Sequence, residues 1–179
     1  LGVKSKKFKK NLSNTTIDPI KLSTILSNLK KQNINNVIME ASSHGLSQNR
    51  LDGLSFNTGI FTNLSQDHMD YHKNIKNYLK AKLYLFEKLI KINGNIITDE
   101  KISEYSQIKK IASKKNLNLF TLLDKKNKFQ FLSHQFEDES QLLRIKYNNF
   151  TYKIKLNLIG KVQLKNIQMA TIAAIKSNI

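Results

Sequence analysis

The sequence predicts an α/β protein: a mainly parallel sheet flanked by helices, with antiparallel strands at its edge near the C-terminus. Three observations lead there. Between residues 18 and 123, short apolar runs ending on polar tips alternate with amphipathic stretches, the order that builds parallel sheets through crossover helices. From Phe129 onward apolar and polar residues alternate, the period of a half-buried antiparallel strand. One proline and 40% hydrophobic residues in 179 suit a single folded domain with a sizeable core.

The elements follow in order. Residues 1–17 carry little periodicity and are expected to be a loop. "DPIKLSTILSNLKK" (18–31) places Ile20, Leu22, Ile25, Leu26 and Leu29 on one helical face, with Asp18 as N-cap and Pro19 at the first helical position. "NNVIMEAS" predicts a short buried strand from Asn36 to Ala41, and "TGIFTNLS" (58–65) a second strand. Next come an amphipathic helix over 75–91, a turn into a third strand at 93–100, a basic helix over 100–115 and a strand at "NLNLFTLL". Antiparallel strands fill 128–160, with Asn148-Asn149 suited to a hairpin turn. A last helix is expected over 162–177, and no internal repeat is visible.

The formal charge is +17, which taken alone suggests nucleic acid or an anionic membrane. The lysines, however, are scattered through every segment and accompanied by abundant Asn and Ile. Only "KSKKFKK" (4–10) resembles a basic arm. No RNP-type aromatic pattern or zinc-finger spacing occurs, so a nucleic-acid partner is not expected. A cationic surface that recruits anionic substrates is. The absence of cysteine excludes disulfides and thiolate metal sites. No apolar run reaches bilayer length and no signal peptide is visible at Leu1, so a cytoplasmic protein without a membrane partner is expected.

Ligands of open α/β sheets sit beyond the carboxyl ends of the strands. Two such ends are chemically dense: Glu40-Ala-Ser-Ser-His44 and the run from Asn63 to His72, which contains Asp67, His68 and Asp70. Mg²⁺ takes carboxylate oxygens and substrate phosphates, so Glu40 and one of Asp67 or His68 could share one ion. Taken singly, each residue has an ordinary explanation: a solvated Glu40, a capping Asp67, a surface His72. Two clusters at adjacent strand ends are harder to dismiss. Lys82 falls with Leu79 and Phe86 near an apolar face. Burial would make its amine available for covalent chemistry, although periodicity alone favours a lysine that snorkels to water. Asn14-Thr15-Thr16 could hold a phosphate or carboxylate, on a weak local signal. No G-x-x-x-x-G-K-[ST] loop occurs.

"MEASSHGLSQNRLDGLSFNTGIFTNLSQDHMDYHKNIKNYLKAKLYLF" (39–86) strongly resembles the central, P-loop-type domain of the Mur ligases, and most of all their tripeptide-forming branch. The family's M-E-x-S-S-H-x-L, Q-x-R, F-T-N-L-x-x-D-H-x-D-Y-H and Y-x-x-A-K patterns are matched almost throughout, with Ala41 where Val is commoner. "NTTIDP" (14–19) matches N-T-T-x-D-P. "GKVQLKNIQMA" (160–170) is a worn G-x-F-N-x-x-N-x-x-A, with Val162 and Gln163 in place of Phe and Asn.

The resemblance implies roles position by position. Glu40 and His68 would be Mg²⁺ ligands, His68 serving catalysis. Lys82 would carry a CO₂-derived carbamate, a catalytic anion that helps hold a second Mg²⁺, which reverses the reading from periodicity. Asn14, Thr15, Thr16, Ser42, Gln48 and Arg50 would grip a UDP-MurNAc-dipeptide, Arg50 through its planar fork. Asn166 would be a weak nucleotide contact, and His44 receives no role. ATP would phosphorylate the dipeptide's terminal carboxylate, and the amine of an incoming amino acid would displace the phosphate to form an amide.

By the same resemblance, residues 1–179 would be part of one domain, beginning after the phosphate loop. The uridine-binding and amino-acid-selecting domains would lie outside it. Such a fragment is expected to be monomeric, inactive as a ligase by itself, and poorly soluble where its sheet lacks an inner strand. Which amino acid is added stays open. The alternatives are another Mur ligase, a folylpolyglutamate synthetase-like enzyme, a basic nucleic-acid-binding module, or a remnant without catalysis.

Overall fold

The computed structural model describes residues 2–5, 9–12, 14–65, 67–124 and 129–179. They fall into two compact units, Leu1–Ser55 with Ser65–Leu89, and Phe56–Leu64 with Ile90–Ile179.

The first unit opens with a hairpin where a loop was expected. Strands β1 (Gly2–Lys4) and β2 (Lys9–Asn11) pair antiparallel, Val3 opposite Lys10. Almost all of their residues are exposed, so no buried face imprints a period on the sequence. Lys6, Lys7 and Phe8 of the basic run lie outside the described residues. Helix α1 (Pro19–Lys31) forms as its spacing predicts. The Asp18 carboxylate accepts the Lys21 N–H at 3.0 Å, satisfying one orphan donor of the first turn. Leu22, Ile25 and Leu29 are buried, whereas Ile20 is exposed.

The strand expected from Asn36 to Ala41 is absent. The segment has no sheet partner among the described residues, and Ile38 is 89% exposed. An apolar run becomes a strand only when a neighbour takes its ladder hydrogen bonds, and composition does not reveal the neighbour. Two unforeseen short helices follow, α2 (Ser43–Ser47) and α3 (Met69–His72), and then α4 (Ile75–Tyr84). The Asn74 side chain caps α4 by accepting the Asn77 N–H at 2.9 Å. The helix expected to reach 91 ends at Tyr84. A π-helical turn, Leu85–Leu89, takes its place.

In the second unit, β3 (Phe56–Phe61), β4 (Ile90–Thr98) and β5 (Asn118–Thr121) form a parallel sheet in that order. Helix α5 (Tyr105–Lys114) precedes β5. The expected antiparallel strands are present as β6 (Phe129–Glu137), β7 (Ser140–Tyr147) and β8 (Phe150–Leu156), and they make a sheet of their own. Asn148 and Asn149 turn β7 into β8 with φ of 47° and 72°, the left-handed pair of a type I′ hairpin. Helix α6 (Lys161–Lys176) completes the unit. Ile97 from β4, Phe129, Leu143 and Ile145 from the antiparallel sheet, and Leu164, Met169 and Ile172 from α6 share one core. Burying each such side chain contributes about 1.5–3 kcal/mol. At the end of β4, Asp99 is 2% exposed, and Lys165 reaches it with an N–O distance of 2.6 Å.

Four helices stop in the same way. Asn33, Asn49, Asn116 and Asn178 each follow the C-cap residue in the left-handed conformation. Beyond each, the next N–H reaches back: Ile34 to the Leu29 carbonyl (3.0 Å), Arg50 to Gly45 (2.9 Å), Leu117 to Ala112 (2.8 Å) and Ile179 to Ala174 (3.0 Å). This is the Schellman pattern, usually closed by glycine. Among the described residues no helix is long and apolar enough to cross a membrane.

Candidate active site

Two of the expected substrate residues, Ser42 and Arg50, meet a third, Thr16, which is 1% exposed. Its hydroxyl donates to the Glu40 carbonyl at 3.1 Å and accepts the Ser42 N–H and the Ser42 hydroxyl, each at 3.0 Å. A hydroxyl has one proton and two lone pairs, so Thr16 is fully used in fixing the 40–42 backbone. The Ser42 oxygen in turn accepts the Gly45 N–H at 3.1 Å and starts α2. Arg50 Nη1 donates to the Thr16 carbonyl at 2.6 Å. A Cβ at Gly45 would sit 2.5 Å from Thr16 Cγ2, so the glycine of Ser-Ser-His-Gly is what lets α2 approach. The helix end does the rest: Gln48 is its C-cap, Asn49 the left-handed residue, and Arg50 the residue whose N–H closes the motif.

The two chemically dense motifs meet through rings and hydroxyls. The His44 ring centroid lies 4.1 Å from Tyr71, 4.9 Å from His68 and 5.5 Å from His72. His72, for which a surface position is the ordinary explanation from sequence, is 5% exposed. Its Nε2 is 3.0 Å from the buried Ser43 hydroxyl, and it stacks on Tyr78 at 5.1 Å. Burial, helped by the nearby His44 and His68 and opposed by Asp70, keeps the His72 imidazole below its ordinary pKa. Tyr71 receives the Gln48 amide at 2.9 Å and shares a 3.1 Å hydrogen bond with Ser47. The Ser47 and Gln48 contacts, with the Arg50 charge, hold the Tyr71 phenol below its usual range.

Tyr78 links the remaining candidates. Lys82, half-buried, places Nζ 5.3 Å from the Tyr78 ring centroid, and the His68 ring lies 6.0 Å from that ring. Burial, then the charge of Asp67, pushes the Tyr78 phenol up. His68 takes a left-handed backbone, φ 59°, at the start of α3, a conformation histidine adopts more readily than most side chains. Glu40 and Asn14 are exposed and Thr15 is half-buried, while Asn166 lies on α6 in the second unit.

Among the described residues no group of three or more His, Asp or Glu side chains is arranged to hold a metal. The donor chemistry suits Mg²⁺ in another way, since that ion takes one or two carboxylates and completes its shell with water and substrate phosphate. An exposed carboxylate at Glu40 meets that description. An unmodified lysine does not, because its ammonium has no lone pair. Sequence reasoning missed Tyr71, Ser43 and the buried state of His72. The D-H-x-D-Y-H spacing contained two of them without showing that they pack on Ser-Ser-His-Gly.

The chain belongs to the Mur ligase family, whose middle-domain model matches residues 1–174. Among curated proteins it is similar to the UDP-N-acetylmuramoyl-L-alanyl-D-glutamate–2,6-diaminopimelate ligase of Zymomonas mobilis. The two are 34% identical over 170 residues, covering 95% of this chain and 35% of that protein. The chain thus spans about a third of the length of such curated relatives. A solved structure of a ligase of the same name superposes with a TM-score of 0.77 at 24% identity, covering 99% of this chain and 38% of that one. The MurF ligase of Thermotoga maritima, solved with ADP, gives 0.52 at 12% identity over 69% of this chain and 28% of that one. These two likenesses establish the fold as that of a Mur ligase central domain.

Proposed function

We propose that these residues belong to the central domain of a longer ATP-dependent ligase. That enzyme attaches the third amino acid to UDP-MurNAc-L-Ala-D-Glu in peptidoglycan synthesis. The amino acid is 2,6-diaminopimelate, following the names of the curated relatives. The observation that carries this reading is the Thr16 hub. It joins the N-T-T segment, the 40–42 segment and the Q-N-R helix end into one hydrogen-bonded unit.

Asn14, Thr15, Ser42, Gln48 and Arg50 hold the nucleotide-sugar dipeptide, Thr16 acts beneath them by fixing the 40–42 backbone, and Asn166 meets the nucleotide of ATP. The dipeptide's carboxylate oxygen attacks the γ-phosphorus of ATP and ADP leaves. The amine of diaminopimelate then attacks the acyl carbon, phosphate leaves with the C–O bond, and the nitrogen loses a proton. Glu40 and His68 would hold Mg²⁺, and Lys82, once carbamylated by CO₂, would supply an oxygen donor to a second ion. Such ions neutralise charge on the transferring phosphoryl group. The chain's own part is to hold and orient the carboxylate. The enzyme works in the cytoplasm as a monomer, without membrane or nucleic acid.

The test is phosphate release by the full-length protein given ATP, Mg²⁺, bicarbonate and UDP-MurNAc-L-Ala-D-Glu, with amino acids added singly. Release that needs both the nucleotide-sugar and diaminopimelate is expected. Release with L-lysine instead would correct the amino acid, and none with any amino acid would overturn the reading.

A further inference from the structure

The hydrogen bonds at the end of α2 have a fixed direction. A backbone carbonyl can only accept, so the Ser47 hydroxyl spends its one proton on the His44 carbonyl at 3.0 Å. The 3.1 Å contact between Ser47 and Tyr71 must then be donated by the phenol. Tyr71 is left with lone pairs only, so the Gln48 side chain meets it with its NH₂ end, at 2.9 Å. That settles which end of the Gln48 amide faces the protein. The other end, the carbonyl oxygen, belongs to an exposed side chain and is presented outward. Two residues on, Arg50 offers only donors.

Building on the proposed function, we propose that Tyr71 is a positioning residue which turns the Gln48 carbonyl toward the substrate. Gln48 therefore reads a hydrogen-bond donor, a sugar hydroxyl or peptide N–H, and not a phosphate or carboxylate. Anionic groups fall to Arg50. The Tyr71 ring is itself held by His44 at 4.1 Å and His72 at 4.8 Å, so the phenol is a fixed platform for the amide.

The experiment compares steady-state constants of the full-length protein and its variants with UDP-MurNAc-L-Ala-D-Glu as the varied substrate. Gln48→Met, which removes the acceptor, raises KM on the order of three- to tenfold, one hydrogen bond's worth. Gln48→Glu keeps an acceptor and binds at least as well as Gln48→Met. Tyr71→Phe frees the amide to turn and raises the same KM about two- to fivefold, leaving kcat and the KM for ATP unchanged. The Gln48→Met/Tyr71→Phe double variant is no weaker than Gln48→Met alone, because Tyr71 acts through Gln48. Three results would each overturn the proposal: Gln48→Glu weaker than Gln48→Met, an unchanged KM in Tyr71→Phe, or additive losses in the double variant. A wild-type protein without dipeptide-dependent phosphate release would instead sink the functional reading, a failure visible before any variant is compared.

Discussion

The candidate site of the first unit and the apolar core of the second are ordered by different means. In the first, Thr16, Ser42, Ser43, Gln48, Arg50, Tyr71 and His72 are tied by hydrogen bonds that run from side chain to side chain or to backbone. In the second, Ile97, Phe129, Leu143, Ile145, Leu164, Met169 and Ile172 are tied by apolar contact. Hydrogen bonds are directional, so a network of them fixes which way each polar group points. Apolar packing is not, and it tolerates exchange of shape for shape as long as volume is kept. The candidate chemistry sits where direction is specified. The apolar cluster around Leu143 and Met169 sits where only volume is.

If that division holds, Leu143→Ala has the largest effect on stability. It empties a buried site and costs about 2–5 kcal/mol in urea unfolding, while the KM for the nucleotide-sugar stays at the wild-type value. A KM that moved with stability would break the comparison. Gly45→Ala sharpens it from the other side. The new methyl meets Thr16 at 2.5 Å and costs about 1–3 kcal/mol by overpacking. Displacing the hub lowers kcat/KM on the order of tenfold or more, since small misplacements are costly in catalysis.

Asp99→Asn gives the smallest effect and one that depends on pH. Burial alone would raise the Asp99 carboxyl, but hydrogen bonds from the Lys165 ammonium and the Lys101 N–H outweigh it, so the group lies below its ordinary 3.8. A carboxyl more acidic in the folded state stabilises fully above its unfolded value, and that contribution disappears as pH falls through the folded value. The variant should therefore be less stable by about 1–2 kcal/mol at pH 7. The gap to wild type should close as pH falls below about 4, read from melting curves across pH.

Local signals in the sequence were reliable where the cause was local. Asp18-Pro19 marked the start of α1 and Asn148-Asn149 the hairpin because each acts on its own backbone. Val37 and Ile38 misled because a strand needs a partner, and an exposed apolar run looks the same as a buried one. The end of α4 was missed because Leu85, Phe86 and Leu89 continue the helical spacing straight through the π-helical turn. In the site, the residue types were visible but their connections were not. Nothing in the spacing from Ser43 to His72 says that the two share a hydrogen bond.

The asparagine endings have a consequence for how this protein ages. Glycine in a helix-terminating turn is chemically inert, whereas asparagine is thermolabile and converts by deamidation to a carboxylate. At Asn33, Asn49, Asn116 and Asn178 that reaction would set a new negative charge on the negative pole of a helix, where the macrodipole opposes it. Prolonged storage or heat should therefore wear this chain first at the ends of its helices. One of those ends is the Gln48-Asn49-Arg50 corner, so the corner proposed to grip the substrate would be among the first places changed.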